Sequence, residues 1–248
     1  MTDALGWRVK FGVLGPSTKT IVQPDFDDLR PAGVTNHYSR IVVKDAQAIS
    51  NESFHAGTLE ISDNTLAAVE GVLTCRPDYL VMGMSAVTFY GGAEGGRKWR
   101  EGIESAADLR LSIGSESLVA ALNALGGIKR VAFVSPYFPV ANKAVSEFLS
   151  DYGFKTVRDA CLKCPSWTAI AEVQEKTLIG VLRDLDGDDI DALIQVGTNL
   201  SMLRLADSAE RWLQKPVVAI NAATYWHALR ANGIDDQMAG FGRLLAEH

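Results

Sequence analysis

Cysteine is scarce in this chain, with three in 248 residues, too few and too unevenly placed for a disulfide framework. Cys161 and Cys164 stand at CxxC spacing, but no second ligand pair lies nearby to complete a structural zinc site. Pro165 follows directly, where a thioredoxin-like redox pair would instead open a helix. Both read as ordinary, partly buried thiols in a connection over Asp159–Trp167. Cys75 closes an apolar helical stretch and reads as helix packing. Histidine is nearly as scarce, at four residues, and none joins Asp or Glu at ligand spacing, so no metal is expected. His37 and His227 read as isolated side chains. Basic charge is not in excess: the net charge of −6 makes no electrostatic case for nucleic acid or an anionic membrane. Long apolar runs are missing, so no membrane span is expected. The first residues lack the basic-then-apolar layout of a signal peptide, which makes the cytoplasm the expected compartment. Phosphate-loop and dinucleotide fingerprints are missing too, because the Gly91-Gly92 and Gly95-Gly96 pairs have neither spacing. Those pairs read as a mobile segment, a candidate lid. Small anions stay admissible as partners, since backbone amides bind them whatever the overall charge.

What is present is a real core. Hydrophobic residues make up 47% of the chain and charged residues 22%, as in globular proteins with one large α/β domain or two lobes. Strand-like apolar runs alternate with helical ones, the pattern of parallel sheets flanked by helices. Strands are expected over Lys10–Gly15, Ser39–Val43, Tyr79–Gly83, Arg110–Ile113, Arg130–Val134, Lys155–Arg158, Ala192–Val196 and Pro216–Ile220. Helices are expected over Ile61–Thr74, Ser115–Leu125, Pro139–Tyr152, Thr168–Leu185, Leu200–Gln214 and Ala222–Ala231.

The chain also repeats itself. Asp78-Tyr-Leu-Val-Met-Gly83-Met84-Ser85 matches Asp191-Ala-Leu-Ile-Gln-Val-Gly197-Thr198-Asn199, each an apolar strand that breaks at glycine before polar residues. The run ending Gly15-Pro16-Ser17 matches the one ending Ser135-Pro136-Tyr137, and the stretch around Ile113 matches that around Ile220. Three ordered matches at slowly drifting separation imply a duplicated half. The expected fold is α/β, with two pseudo-two-fold-related Rossmann-like lobes, each a mostly parallel sheet with flanking helices. Residues 1–113 plus 222–248 would form the first lobe and 114–221 the second. The site would lie in the cleft between them, at the carboxyl ends of the strands, where open α/β sheets bind ligands and helix N-termini suit carboxylates.

At this point the chain resembles the aspartate/glutamate racemase superfamily, and within it the branch of arylmalonate decarboxylases and maleate cis-trans isomerases. The resemblance rests on Gly83-Met84-Ser85-Ala-Val-Thr-Phe89-Tyr90, on Ser135-Pro136-Tyr137 with Asn142, on Thr198-Asn199-Leu200 and on Gly240-Phe-Gly-Arg243-Leu. Gly15-Pro16-Ser17-Thr18-Lys19-Thr20 is similar to the family's first anion loop, except that Lys19 stands where isomerases usually carry Asn. His37-Tyr-Ser-Arg40 also resembles an isomerase segment. The family's chemistry uses cysteine. Racemases and isomerases carry a thiol on each lobe, whereas decarboxylases keep the second-lobe thiol and have glycine in the first. Here the two positions fall on Gly83 and Gly197, so the first matches decarboxylases and the second departs from both groups.

That departure rules out two-base racemisation and thiol addition at these positions. What the resemblance still implies is a cofactor-independent lyase or isomerase on a small carboxylic or dicarboxylic acid. Its route would be desolvation of one carboxylate in an apolar pocket and stabilisation of an enediolate by hydroxyls and backbone N–H groups. Tyr137 and Ser85 are the candidate catalytic residues. Ser17, Thr18, Gly83, Met84, Asn142, Gly197, Thr198 and Asn199 are the candidate substrate-binding residues. Lys19 reads more simply as a solvated lysine than as an anion contact. Glu94 and Glu116 would serve as bases only if burial raised their pKa values. The proton donor stays open, because a phenol is a poor acid. Two alternatives remain: a hydratase or hydrolase using water in the same pocket, and a non-catalytic carboxylate-binding protein. Oligomeric state is open, with a homo-oligomer admissible.

Overall fold

The computed structural model describes residues 3–44 and 49–248, and its backbone builds two four-stranded sheets with helices on their faces. The first sheet holds β1 (Val9–Pro16), β2 (Val34–Ile41), β3 (Tyr79–Met82) and β4 (Leu111–Ser112), in the order β2-β1-β3-β4. The second holds β5 (Arg130–Ser135), β6 (Lys155–Cys161), β7 (Ala192–Gln195) and β8 (Val217–Ala219), in the order β6-β5-β7-β8. Every pairing is parallel. The two orders coincide once the second set is renumbered, so the repeat in the sequence is a repeat of topology: two Rossmann-like lobes with a cleft between them. The central strands β1, β3, β5 and β7 are buried almost throughout. Sheets covered on both faces give such continuous apolar runs.

The helices are α1 (Val22–Asp28), α2 (Asn51–Asp63), α3 (Thr65–Leu73), α4 (Gly92–Ala107), α5 (Gly114–Leu125), α6 (Pro139–Asp151), α7 (Glu175–Leu185), α8 (Leu203–Leu213), α9 (Ile220–Ala231) and α10 (Arg243–Glu247). Local chemistry sets several starts. Ser50 and Ser53 form a reciprocal capping box at the head of α2. Pro139 opens α6, a first-turn place where its missing N–H costs nothing. One connection ties the lobes together: α9 leaves β8 of the second sheet yet packs on β3, β4 and α1 of the first, and also on α5. Its Tyr225 is fully buried between Phe11 and Phe26 and donates its hydroxyl to Asn36 Oδ1 at 2.9 Å. Burying such a ring contributes about 2 kcal/mol.

Five expectations need correction. The strand expected over Ser39–Val43 runs instead over Val34–Ile41 as β2. The helix expected over Ile61–Thr74 is two, α2 and α3, parted at Asn64, whose side-chain amide donates to the Val42 carbonyl. The one expected over Thr168–Leu185 is a 3-10 turn (Ala169–Glu172) and then α7, separated by extended backbone at Val173 and Gln174. The segment Gly91–Gly96, read as a mobile lid, enters α4, whose first turn is pinned by the Asp151 carboxylate on the Ala93 N–H at 2.8 Å. The connection expected from Asp159 begins later, because β6 runs on to Cys161. Among the described residues no helix is long and apolar enough to cross a membrane.

Candidate functional site

The carboxyl ends of β3 and β7 meet in the cleft. The loop after β3 carries Gly83, Met84 and Ser85, and the loop after β7 carries Gly197, Thr198 and Asn199. Between them lies a partly enclosed pocket of about 20 Å3, room for about one water, lined by Lys19, Thr58, Ile61, Met84, Ala86, Tyr137, Trp167, Ile170, Gly197, Thr198 and Asn199. Thr58 and Ile61 come from α2, and Trp167 and Ile170 from the segment before α7. Phe54 of α2 stacks against both Tyr137 and Trp167, with ring centroids 5.2 and 5.0 Å away, which holds the apolar wall together.

Lys19 is the central finding. It is not solvated: only 8% of it is exposed. Its Nζ donates to the Gly83 carbonyl at 3.2 Å and to Thr198 Oγ1, while the Thr198 hydroxyl donates to the same Gly83 carbonyl at 3.0 Å. One amine thus joins the strand ends of both lobes. Among the described residues Lys19 makes no ion pair, and burial alone pushes its pKa down from 10.5 to about 7. Tyr137 is also buried and exchanges a hydrogen bond with Ser85 at 2.8 Å. Burial raises its phenol well above the ordinary range, only partly offset by Ser85.

The remaining expected site residues divide. Asn199 lines the pocket, but its amide is committed: Oδ1 accepts from the Thr20 and Ile21 N–H groups at 2.9 and 3.2 Å, and Nδ2 donates to the Trp167 carbonyl at 3.0 Å. It positions the Lys19 loop and the Trp167 wall. The Thr198 carbonyl is held by Asn221, whose amide also donates to Asp25 at 2.7 Å. Thr18 Oγ1 is buried without a hydrogen-bond partner. Ser17 is exposed and bonds only to the Val43 backbone, at 3.1 and 3.3 Å. Asn142 is bonded to Ser135 and Asp159 and lines no part of the pocket. Glu94 is an exposed partner of Lys98, and Glu116 pairs with Arg100. Neither lines the pocket. His227 bonds to Ser112 at 2.8 Å, and burial lowers its pKa.

A roomier, open groove of about 460 Å3 lies along α8 and the C-terminal segment. Three of its charged groups are already used: Glu210 accepts from the Val217 and Arg243 N–H groups, and Asp207 pairs with Arg211. Among the described residues no group of three or more His, Cys, Asp or Glu side chains could hold a metal ion.

A family model described as arylmalonate decarboxylase matches residues 47–245. The chain belongs to the arylmalonate decarboxylase family. Its place is in the aspartate/glutamate racemase superfamily, on the branch shared with maleate isomerases. The maleate isomerase of Pseudomonas putida is 23% identical over 96% of this chain and 97% of that protein. The arylmalonate decarboxylase of Bordetella bronchiseptica is 29% identical over 67% of this chain and 70% of its own. Among solved structures, a cysteine-to-serine variant of the Nocardia farcinica maleate cis-trans isomerase, carrying a covalently bound succinylcysteine intermediate, superposes with a TM-score of 0.86. It is 22% identical and covers 97% of this chain and 99% of that one.

Neither Gly83 nor Gly197, the two positions expected to match the family's thiols, has room for a side chain. A Cβ built on Gly83 would stand 2.7 Å from Val22 Cγ1 and 3.2 Å from the Leu14 carbonyl. At Gly197 it would stand 2.4 Å from the Pro136 ring, on backbone with φ +109° that L side chains rarely adopt. The buried amine sits between these two closed positions, bonded to the Gly83 carbonyl and to the residue after Gly197. Sequence reasoning underrated Lys19 and missed Trp167, Ile170, Thr58 and Ile61. The one signal for Lys19 was its place in the loop after β1 that resembles the family's anion loop.

Proposed function

We propose that this protein is a cofactor-independent carbon–carbon lyase or isomerase that acts on a small carboxylic or dicarboxylic acid through an enediolate-like state, with decarboxylation as the leading reaction. The observation that supports it most is the convergence of Lys19, Thr198 and Tyr137, drawn from both lobes, on one small desolvated pocket, with Ser85 bonded to the Tyr137 hydroxyl from behind. The family contains arylmalonate decarboxylases, and Gly83 corresponds to their first-lobe glycine. The apolar wall of Ile61, Met84, Ala86, Trp167 and Ile170 would strip water from one carboxylate and favour its loss as CO2. The Ser85–Tyr137 hydroxyl pair and the strand-end loops would hold the other carboxylate and the developing enediolate.

Lys19 answers the question of the proton donor. A bound carboxylate supplies the counter-charge that the buried amine lacks, so the amine takes up a proton as the acid binds. With a pKa pushed to about 7, it can return that proton to carbon at neutral pH, where efficient acid–base groups titrate. The test is turnover of substituted malonates and of maleate, followed by NMR in D2O with no metal or cofactor added. A malonate losing CO2 and gaining one deuterium at carbon is the expected result. A folded protein that turns over neither substrate would sink this reading.

A further inference from the structure

The hydrogen bonds around Lys19 fit a neutral amine completely. A neutral amine has two N–H donors and one lone pair; an ammonium has three donors. Two acceptors face Nζ, the Gly83 carbonyl and Thr198 Oγ1. The Thr198 hydroxyl hydrogen is spent on Gly83, so Thr198 presents only lone pairs to the amine. Among the described residues there is no third acceptor and no counter-ion for Nζ. The third position is free for a lone pair in a pocket that holds little water. A desolvated lysine of this kind is a nucleophile toward carbonyl carbon. Both thiol positions of the family are sterically closed around it, and no other side chain lining the pocket offers a free nitrogen or sulfur nucleophile.

We infer that Lys19 is a covalent nucleophile, and that this pocket decarboxylates a small 3-oxo acid by forming an imine between the Lys19 amine and the acid's ketone. The inference goes beyond the enediolate reading and needs only the pocket. The lone pair of Nζ adds to the ketone carbon, giving a carbinolamine, which takes one proton and loses water to become an iminium. The bond between the carboxylate and the carbon next to the iminium then breaks. CO2 leaves, and the bonding pair moves through carbon to nitrogen as an enamine. The enamine carbon takes a proton, water adds back to the iminium, and a ketone and the free amine are released. One proton is consumed, the water lost is regained, and no oxidant, reductant or metal enters. The acid must be small, because Trp167, Ile170 and Met84 wall in a space that holds about one water, and even a short chain requires these side chains to move apart.

The experiment is reductive trapping. The full-length protein is incubated with acetoacetate and sodium cyanoborohydride at pH 7, digested and mapped by mass spectrometry. At that pH the neutral fraction of a lysine titrating near 7 exceeds that of a surface lysine on the order of a thousandfold, so labelling should be selective. The expected result is one adduct per chain on the peptide that carries Lys19: an isopropyl group if CO2 has left, a carboxyl-bearing group if it has not. Lys19→Met should remove that adduct while circular dichroism shows an intact fold. If the variant does not fold, the site mapped in the wild-type chain decides alone. Adducts confined to other lysines, or none, overturn the inference. Malonate turnover on the same sample separates the two readings. Turnover without an adduct leaves the enediolate route standing alone, and an adduct without malonate turnover does the reverse.

Discussion

The carboxyl ends of β3 and β7 occupy equivalent places in sheets of the same order, yet they close in different ways. At the first, Gly83 continues from the strand, with its N–H on the Leu14 carbonyl at 2.7 Å, and turns its own carbonyl outward to Lys19 of its own lobe and Thr198 of the other. At the second, the Gly197 carbonyl stays within its lobe, accepting from Gln195 Nε2 at 2.7 Å and the Leu200 N–H at 2.9 Å. The first end exports an acceptor from its backbone; the second satisfies its glycine carbonyl internally and exports side chains, the Thr198 hydroxyl and the Asn199 amide oxygen. Both ends exclude a side chain, the first by contact with Val22 and the second by backbone conformation and the Pro136 ring. The difference shows that equivalent strand ends can exclude a side chain by separate means. The loops have closed over those positions, and a single amine joins them.

The sharpest way to break this contrast is to put cysteine at each glycine. Gly197→Cys must adopt a positive φ and push on a rigid ring. It should cost about 4 kcal/mol, the sum of a strained backbone and an overpacked contact. Gly83→Cys meets Val22 on ordinary backbone and should cost roughly 2 kcal/mol. Urea denaturation of both variants checks this, and equal costs would mean that the second loop rearranges freely. Neither variant is expected to gain thiol chemistry.

The joining amine makes the second prediction. Lys19 has a folded pKa of about 7 against 10.5 for an ordinary lysine, so between those values the unfolded chain binds more protons than the folded one. Stability therefore rises with pH across that window, by up to about 1.4 kcal/mol per pH unit, and the full penalty is present below pH 7. Lys19→Met removes that penalty along with two hydrogen bonds, for a net gain of about 2 kcal/mol at pH 7. The gain should shrink toward pH 10. Thermal unfolding of both proteins from pH 6 to 10 measures it, and a constant difference would place the amine in solvent. Turnover should fall by roughly a hundredfold or more, as for other lost acid–base groups.

Third, Thr198→Val removes the hydroxyl that spans the lobes and one acceptor of the amine. It should cost about 1.5 kcal/mol and slow turnover, with the Lys19 pKa lower still because the remaining protons have fewer partners. Chemical denaturation and the pH profile of turnover read the two effects. An unchanged profile would show that Thr198 does not touch the working amine.

Much of this architecture was legible in the sequence because parallel strands buried on both faces write themselves as apolar runs. Tyr79–Met82 and Ala192–Gln195 were located to within a residue. The helix α1 was not, since only Val22 and Phe26 are buried in its seven residues and one such pair makes no periodicity. The site was legible at its strand ends and illegible at its wall. Nothing local in Thr58, Ile61, Trp167 or Ile170 announces a pocket, which exists only after α2 folds over the segment that follows β6. Lys19 was misjudged for a related reason. A lysine in a polar loop is usually solvated, and its burial depends on Gly83 and Thr198, which stand 64 and 179 residues away.

The same asymmetry extends to β1 and β5, whose ends carry the matched pair Ser17 and Tyr137. Ser17 faces the backbone of Val43 at the surface, whereas Tyr137 is buried against Phe54 and shares its hydroxyl with Ser85. Tyr137→Phe keeps the ring packing and removes one hydroxyl, leaving buried Ser85 Oγ without that partner. The stability cost should be about 1 kcal/mol, the smallest of these effects, because the aromatic contacts survive. Turnover should fall by more than that figure alone would give, since the hydroxyl pair would meet charge that develops only during the reaction. Ser17→Ala removes surface contacts and should change turnover less than Tyr137→Phe does. Steady-state rates of the two variants, set beside their unfolding midpoints, separate packing from chemistry. Equal losses of turnover would return Ser17 to the site and restore the symmetry that the structure denies.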